Sequence, residues 1–117
     1  MKIEEFIREV ETEAGRRSYV KGVQIISQGA YTVKMWINIT PELKVQLYHN
    51  EKTDTTNFSL LLHDARIYGR NKRKGAWHRH PIERPLEHDV SSEGAKSVTI
   101  AQFLEEVDKI LIEKKLI

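Results

Sequence analysis

Cysteine is absent from this chain, and so is any long apolar run. Without thiols the protein has no disulfide framework and no thiolate metal site, so any metal ligands must be His, Asp or Glu. No apolar run approaches the roughly 20 residues that cross a bilayer. The first turns are rich in glutamate where a signal peptide has a basic end and an apolar centre, so no export signal is recognisable. These absences predict a cytoplasmic protein that does not enter a membrane.

The length and composition are those of one small folded domain. Of the 117 residues, 31% are charged and 39% are hydrophobic, which is typical of soluble globular proteins rather than disordered ones. A chain of this size can bury one core but not two, so we predict a single domain over residues 1–117.

Positive charge is concentrated between residues 62 and 88, although the formal net charge of the chain is only +2. Four of the five histidines lie in the same stretch. Residues 66–84 contain one acid, Glu83, and seven basic side chains: Arg66, Arg70, Lys72, Arg73, Lys74, Arg79 and Arg84. Such an asymmetry favours a polyanionic partner at one face. We therefore predict that the functional site lies in residues 62–88.

Hydrophobic spacing predicts two helices with strands between them. The helices are expected over residues 2–14 and, after the capping-box pair Thr99 and Gln102, up to about Lys114. Alternating or β-branched residues predict strands over 17–27, 33–39, 43–47 and 58–62, the last one continuing through Tyr68 if a bulge changes its face. Short connections exclude parallel pairing. We predict an α+β fold, in which an antiparallel β-meander of four to five strands carries the C-terminal amphipathic helix on one face and the short N-terminal helix at its edge.

The tripeptide His78-Arg79-His80 is the sharpest chemical signal. In an extended segment, residues two apart share a face, so both imidazoles are expected on one side and Arg79 on the other. Two imidazoles that titrate near neutral pH can serve as general acid and general base on a phosphodiester. RNA carries its own nucleophile, the 2′-hydroxyl, so such a site needs no metal. The alternative is that both histidines support a surface turn before Pro81.

The same pair can instead ligate a metal, with His88, Asp89 or Asp64 as a third ligand. The neighbouring arginines disfavour a bound cation, so we predict neither a metal nor another cofactor.

The basic residues around this pair predict contacts with a nucleic-acid backbone. Tyr68 and Trp77 supply flat surfaces on which unpaired bases can stack. The alternative is a solvated basic hairpin with Trp77 anchored in the core. The predicted contacts with RNA are made by Arg66, Arg70, Lys72, Arg73, Lys74, Trp77, Arg79 and Arg84.

The run Arg66 to His80, followed by Ser97 to Val107, resembles the TumE-like toxin family of bacterial and archaeal toxin-antitoxin operons. Members of that family have a tyrosine, a polar and basic run, a glycine and a His-x-His pair after a β-meander, and then an amphipathic helix. The resemblance covers about residues 58–112, and the positions that match are Tyr68, Asn71, Gly75, His78 and His80. This chain has Gly69 where members often have an aspartate, and its N-terminal helix is longer than usual.

The resemblance implies a growth-inhibiting toxin that acts on RNA and is neutralised by a helix-turn-helix antitoxin. It adds Tyr68 to the catalytic residues His78 and His80, and Asn71 to the residues that bind RNA. We predict an RNA-binding protein that is a metal-independent ribonuclease. Two alternatives remain: a non-catalytic protein that docks nucleic acid or an acidic partner, and a structural homodimer formed through the strand at 33–39.

Overall fold

The fold is a single antiparallel sheet that is covered on one face by two helices. The computed structural model describes all residues, 1–117. The elements are α1 (Ile3–Gly15), β1 (Gly22–Gln28), β2 (Thr32–Thr40), β3 (Leu43–Asn50), β4 (Thr55–Leu62), β5 (Ala65–Arg73), β6 (Ala76–His80) and α2 (Ile100–Glu113). The strands pair in the order of the chain, because each connection is too short for anything but a hairpin. The predicted α+β meander is confirmed, with six strands rather than four or five.

Strict alternation in β2 and β3 sets which face of the sheet is buried. Along β2, Val33, Met35, Ile37 and Ile39 are buried, and the residues between them are half-buried on the other face. These apolar side chains lie in the core of the chain itself. The apolar face of this strand is therefore not available for the homodimer that was considered as an alternative.

One of the strands beyond the four predicted ranges, β5, arises from a tight turn at His63 and Asp64. Both residues have positive φ, 50° and 64°, which is the backbone of a two-residue hairpin turn whose twist matches that of the paired strands. The strand predicted to continue from Phe58 through Tyr68 therefore reverses between Leu62 and Ala65 and becomes β4 and β5. The sequence has no glycine at this turn, so the usual signal was missing.

Both helices pack on the same face of the sheet and share one core of 21 buried residues. Phe6 of α1 stacks on His49 of β3, with ring centroids 5.1 Å apart, and Phe103 of α2 packs on Phe58 and Tyr68. The prediction that α1 lies at the edge of the sheet is corrected, since it covers β2 and β3 beside α2.

Helix α2 begins at the predicted capping box. The hydroxyl of Thr99 accepts a hydrogen bond from the backbone N–H of Gln102, and the side-chain oxygen of Gln102 accepts one from the backbone N–H of Thr99. Neither helix has the length and apolar character needed to cross a membrane.

Candidate functional site

The face of the sheet away from the helices, called here the open face, carries two polar rows. In an antiparallel sheet, residues directly opposite each other point to the same side, so register alone defines each row. The first row crosses five strands and consists of Lys34, Tyr48, Asn57, Asn71 and His78. The second row lies beside it and consists of Trp36, Gln46, Ser59, Gly69 and His80.

The two rows end in the imidazoles of His78 and His80, which confirms that these side chains share a face. Their ring centroids are 5.1 Å apart, with the rings at 71° to each other. Arg79 points to the helical side of the sheet, since it is opposite Arg70 in the register.

A third imidazole, that of His88, joins them because of a bridge between Arg79 and Asp89. The backbones of Arg79 and Asp89 exchange two hydrogen bonds of 3.0 and 2.7 Å, so the segment after β6 returns along its outer edge. The Arg79 guanidinium also donates from Nε and Nη2 to Oδ2 of Asp89, at 3.0 and 2.6 Å. Because Asp89 faces the same side as Arg79, the adjacent His88 faces the side of His78 and His80.

The three rings form a compact group, called here the histidine cluster (His78, His80 and His88). The centroid of the His88 ring lies 4.6 Å from that of His78 and 4.7 Å from that of His80. Nitrogens from the three side chains all lie within 4.8 Å of one another. His80 is 1% exposed, His78 is half-buried and His88 is exposed, so the cluster opens to solvent on one side.

His80 is held in one orientation and one tautomer. Its Nδ1–H donates to the backbone carbonyl of Pro85, at 3.0 Å, because a carbonyl oxygen can only accept. Burial, with the positive charge of Arg66, lowers the pKa of His80 to about 4. Burial and the neighbouring His88 also lower the pKa of His78. At neutral pH, His80 is therefore uncharged, with Nε2 as the nitrogen that carries the lone pair.

Arg66 reaches the cluster because Gly69 has no side chain. A Cβ atom at Gly69 would lie 3.2 Å from Cδ of Arg66 and 2.9 Å from the carbonyl oxygen of Phe58. The Arg66 side chain therefore occupies the space between Ser59 and His80 in the second row. A larger side chain at position 69 would displace this arginine.

Two buried polar atoms near the cluster have no hydrogen-bond partner in the protein: Nε of Arg66 and Oδ1 of Asn71. Asn71 is directly opposite His78 in the register. An unpaired buried donor or acceptor costs about 1–3 kcal/mol, so such groups usually indicate a missing partner. Here one donor and one acceptor flank the same three imidazoles.

Arg70 does not reach this site, and its predicted contact with phosphate is wrong. The side chain is fully buried on the helical side and donates to both carboxylate oxygens of Glu106, at 3.1 and 2.7 Å. It also donates to the backbone carbonyl of Glu93, at 2.7 Å. Arg70 thus links the sheet to α2 and to the loop that precedes it.

Tyr68 and Trp77 also belong to the helical side. The Tyr68 hydroxyl donates to Glu106 at 2.8 Å, and burial with this hydrogen bond raises the pKa of Tyr68 to about 12. The catalytic role predicted for Tyr68 is corrected, because its hydroxyl lies on the opposite face from the imidazoles. Trp77 packs against Phe58 and the core, so neither ring is free to stack on a base.

The other predicted basic contacts divide into paired and free side chains. Lys72 binds Asp54 at 2.7 Å, Arg84 binds Glu87 at 3.2 Å, and Arg79 is committed to Asp89. Arg73 and Lys74, at the tip of the β5–β6 hairpin, are exposed and form no ion pair. Of the seven Arg and Lys side chains predicted to contact RNA, Arg66 and Arg73 are close enough to lower the pKa of His78, and Arg66 also lowers the pKa of His80.

Sequence reasoning missed the polar residues of the open face that precede the histidines in each row. Lys34, Tyr48 and Asn57 lie far from His78 in sequence and reach its row only through the strand register. The sequence did contain one signal for these residues, namely the polar positions that alternate with apolar ones in each strand. To align those positions between strands, the hairpin turns must first be located correctly.

The chain matches no protein-family model, no curated protein and no solved structure. The resemblance to TumE-like toxins and the helix-turn-helix antitoxin that it implies therefore stay predictions.

Proposed function

We propose that the protein binds RNA along the open face and cleaves its backbone at the histidine cluster. The observation that carries this proposal is the position of three imidazoles at the end of two polar rows, beside the side chain of Arg66. Acid-base groups, a cation and hydrogen-bonding side chains are thereby available on one solvent-facing surface.

The open face offers the groups that recognise single-stranded RNA. Lys34, Gln46, Tyr48, Asn57, Ser59 and Arg66 line a shallow groove across it. The amides and hydroxyls can bond base edges, Tyr48 can stack on a base, and Lys34 can bind phosphate. At about 4.8 Å per strand, the first row extends over about 19 Å between Lys34 and His78. That length suits a short single-stranded segment that leads to the cluster.

The proposed reaction uses the 2′-hydroxyl of the substrate as nucleophile. An accessible imidazole, His78 or His88, takes the proton of the 2′-hydroxyl as its oxygen bonds to phosphorus. The bond from phosphorus to the 5′-oxygen breaks, and that oxygen receives a proton from the other accessible ring or from water. A 2′,3′-cyclic phosphate and a 5′-hydroxyl result. Arg66 stabilises the negative charge on the phosphoryl oxygens.

This assignment changes the role predicted for His80. Its Nδ1–H is committed to Pro85, and the buried ring is uncharged at neutral pH, so it has no proton to donate to a leaving group. His80 therefore positions the cluster, and the two accessible rings move protons.

The test compares an end-labelled single-stranded RNA with DNA of the same sequence. We expect the tag-free protein to cut the RNA and leave cyclic phosphate ends, and to leave the DNA intact, because DNA lacks the 2′-hydroxyl. The proposal would be contradicted if the RNA stayed intact, or if the RNA and the DNA were cut equally.

The basic hairpin tip favours a second function, docking to RNA without cleavage. Each phosphate contact contributes about 0.7 to the slope of log affinity against log salt for a single strand. The double variant Arg73→Gln, Lys74→Asn should therefore reduce the steepness of that slope by about 1.4. The asparagine suits the positive φ of 51° at position 74.

The matched control is Arg8→Gln with Lys114→Gln, which removes the same charge from an exposed position on α1 and from the exposed C-cap of α2. Filter binding at several salt concentrations measures both slopes. Equal slopes for the two double variants would show that the tip does not contact RNA.

A further inference from the structure

We propose that His78, His80 and His88 bind one divalent transition-metal ion of the zinc class. This inference depends on the geometry of the cluster and holds whether or not the protein acts on RNA. It also reverses the prediction, made from the sequence, that the chain binds no metal.

The spacing of the rings suits a single ion. Nitrogens bound to a tetrahedral zinc ion at about 2.1 Å lie about 3.4 Å apart. The nitrogens of the cluster are within 4.8 Å of one another, so small rotations bring them to coordination distance. His88 supplies most of this movement, since its side chain is exposed. His78 and His80 are anchored on one strand, two residues apart.

The environment of His80 is that of a metal ligand. A histidine that binds a metal with one nitrogen nearly always donates its other ring N–H to a carboxylate, a carbonyl or water. In His80, Nδ1–H donates to Pro85 and leaves Nε2, which makes no hydrogen bond, with its lone pair free. The ring is therefore oriented before an ion arrives.

The sequence analysis predicted that neighbouring arginines would disfavour a cation at the histidines, but most of these arginines do not surround the cluster. Arg79 lies on the helical side with Asp89, and Arg84 is paired with Glu87. Arg73 and Arg66 remain. Arg73 is exposed to solvent near His78, whereas Arg66 has a buried Nε without a partner. An anion in the fourth coordination position, such as hydroxide or a phosphate oxygen, would bind the ion and this guanidinium together. Asn71 Oδ1, also unpaired, is available to a ring N–H or a metal-bound water beside His78.

The donor set selects the class of metal. Three imidazoles without a carboxylate suit zinc, nickel, copper and iron, whereas magnesium and calcium require oxygen ligands. Three histidines and an open fourth position also form a common catalytic zinc site. With an ion bound, the three imidazole lone pairs would be coordinated, and the metal would supply a bound hydroxide as the base in place of the rings.

Isothermal titration of tag-free, EDTA-treated protein with zinc chloride tests the inference, with magnesium chloride titrated in parallel. We expect one zinc ion per chain and no binding of magnesium. His88→Ala should weaken zinc binding by more than the roughly 10- to 100-fold that loss of an outer-shell partner costs. Because His88 is exposed, this variant should stay folded, which circular dichroism checks.

The matched control is His63→Asn, which removes an exposed imidazole and keeps a residue that tolerates the positive φ at this turn. It should bind zinc as the parent does. Absence of stoichiometric zinc binding, or equal binding by the His88→Ala and His63→Asn variants, would overturn the inference. Zinc binding without RNA cleavage would remove the proposed function alone, and cleavage by a chain that binds no zinc would remove the metal site alone.

Discussion

Replacing His78 with alanine is expected to lower the rate of RNA cleavage by about 10²- to 10⁴-fold, the range that a positioned acid-base group contributes. His78 is half-buried at the end of the first polar row, with its ring 4.6 Å from that of His88. Loss of this ring removes one of the two accessible imidazoles that the proposed cleavage uses. If the cluster holds an ion, the same substitution removes one of its ligands, so the rate falls in either case.

Single-turnover cleavage, measured with protein in excess of labelled RNA, separates this effect from binding. The affinity for RNA should change little, because the ring is one of many groups on the open face. His63→Asn is the control, since it removes an imidazole from the β4–β5 turn, and its rate should equal that of the parent. A rate unchanged in the His78→Ala variant would exclude the histidine cluster as the reacting centre.

Replacing Glu106 with glutamine is expected to lower the free energy of unfolding by about 3 kcal/mol, the lower end of the range for breaking a buried ion pair. The substitution keeps the shape of the side chain and leaves the fully buried Arg70 guanidinium without its main counterion. The remaining carboxylate partner, Glu93, is 57% exposed and 3.3 Å away, so it compensates only in part.

Arg70→Met should cost less than Glu106→Gln. The carboxylate that it leaves behind is 27% exposed and can be hydrated, whereas a buried guanidinium cannot. Arg73→Met is the control on the same strand, and because Arg73 is exposed its effect should stay within about 0.5 kcal/mol. Urea unfolding followed by circular dichroism measures all three variants. Weaker RNA binding by the Arg70→Met variant without loss of stability would restore the contact with phosphate that the sequence suggested.

The contrast between Arg70 and Arg66 shows why a count of basic residues does not locate an RNA site. Both arginines lie in one basic stretch, four residues apart, and nothing in their local sequence separates them. The bulge in β5, where the register shifts between Leu60 and Leu61 of β4, puts Arg66 on the open face and Arg70 on the helical face. Glu106, which neutralises Arg70, comes from α2 and is 36 residues away.

The histidine cluster was predictable in part. Residues that are two positions apart in a strand share a face, so local geometry alone was enough to place His78 and His80 together. His88 required the backbone bridge between Arg79 and Asp89, a pairing that no periodicity in the sequence indicates. The burial of His80 and its hydrogen bond to Pro85 likewise depend on the path of the segment that follows β6.

The sequence by itself determined the class of the fold, the two helices, the buried face of β2 and the orientation of the His-x-His pair. These features depend on interactions between residues close in the chain: helix periodicity, strand alternation, a capping box and the short connections. The tertiary structure alone decided which cations are neutralised, which polar residues share a row and which third imidazole completes the cluster. Those outcomes depend on strand register and loop path, where a shift of one residue moves a side chain to the opposite face.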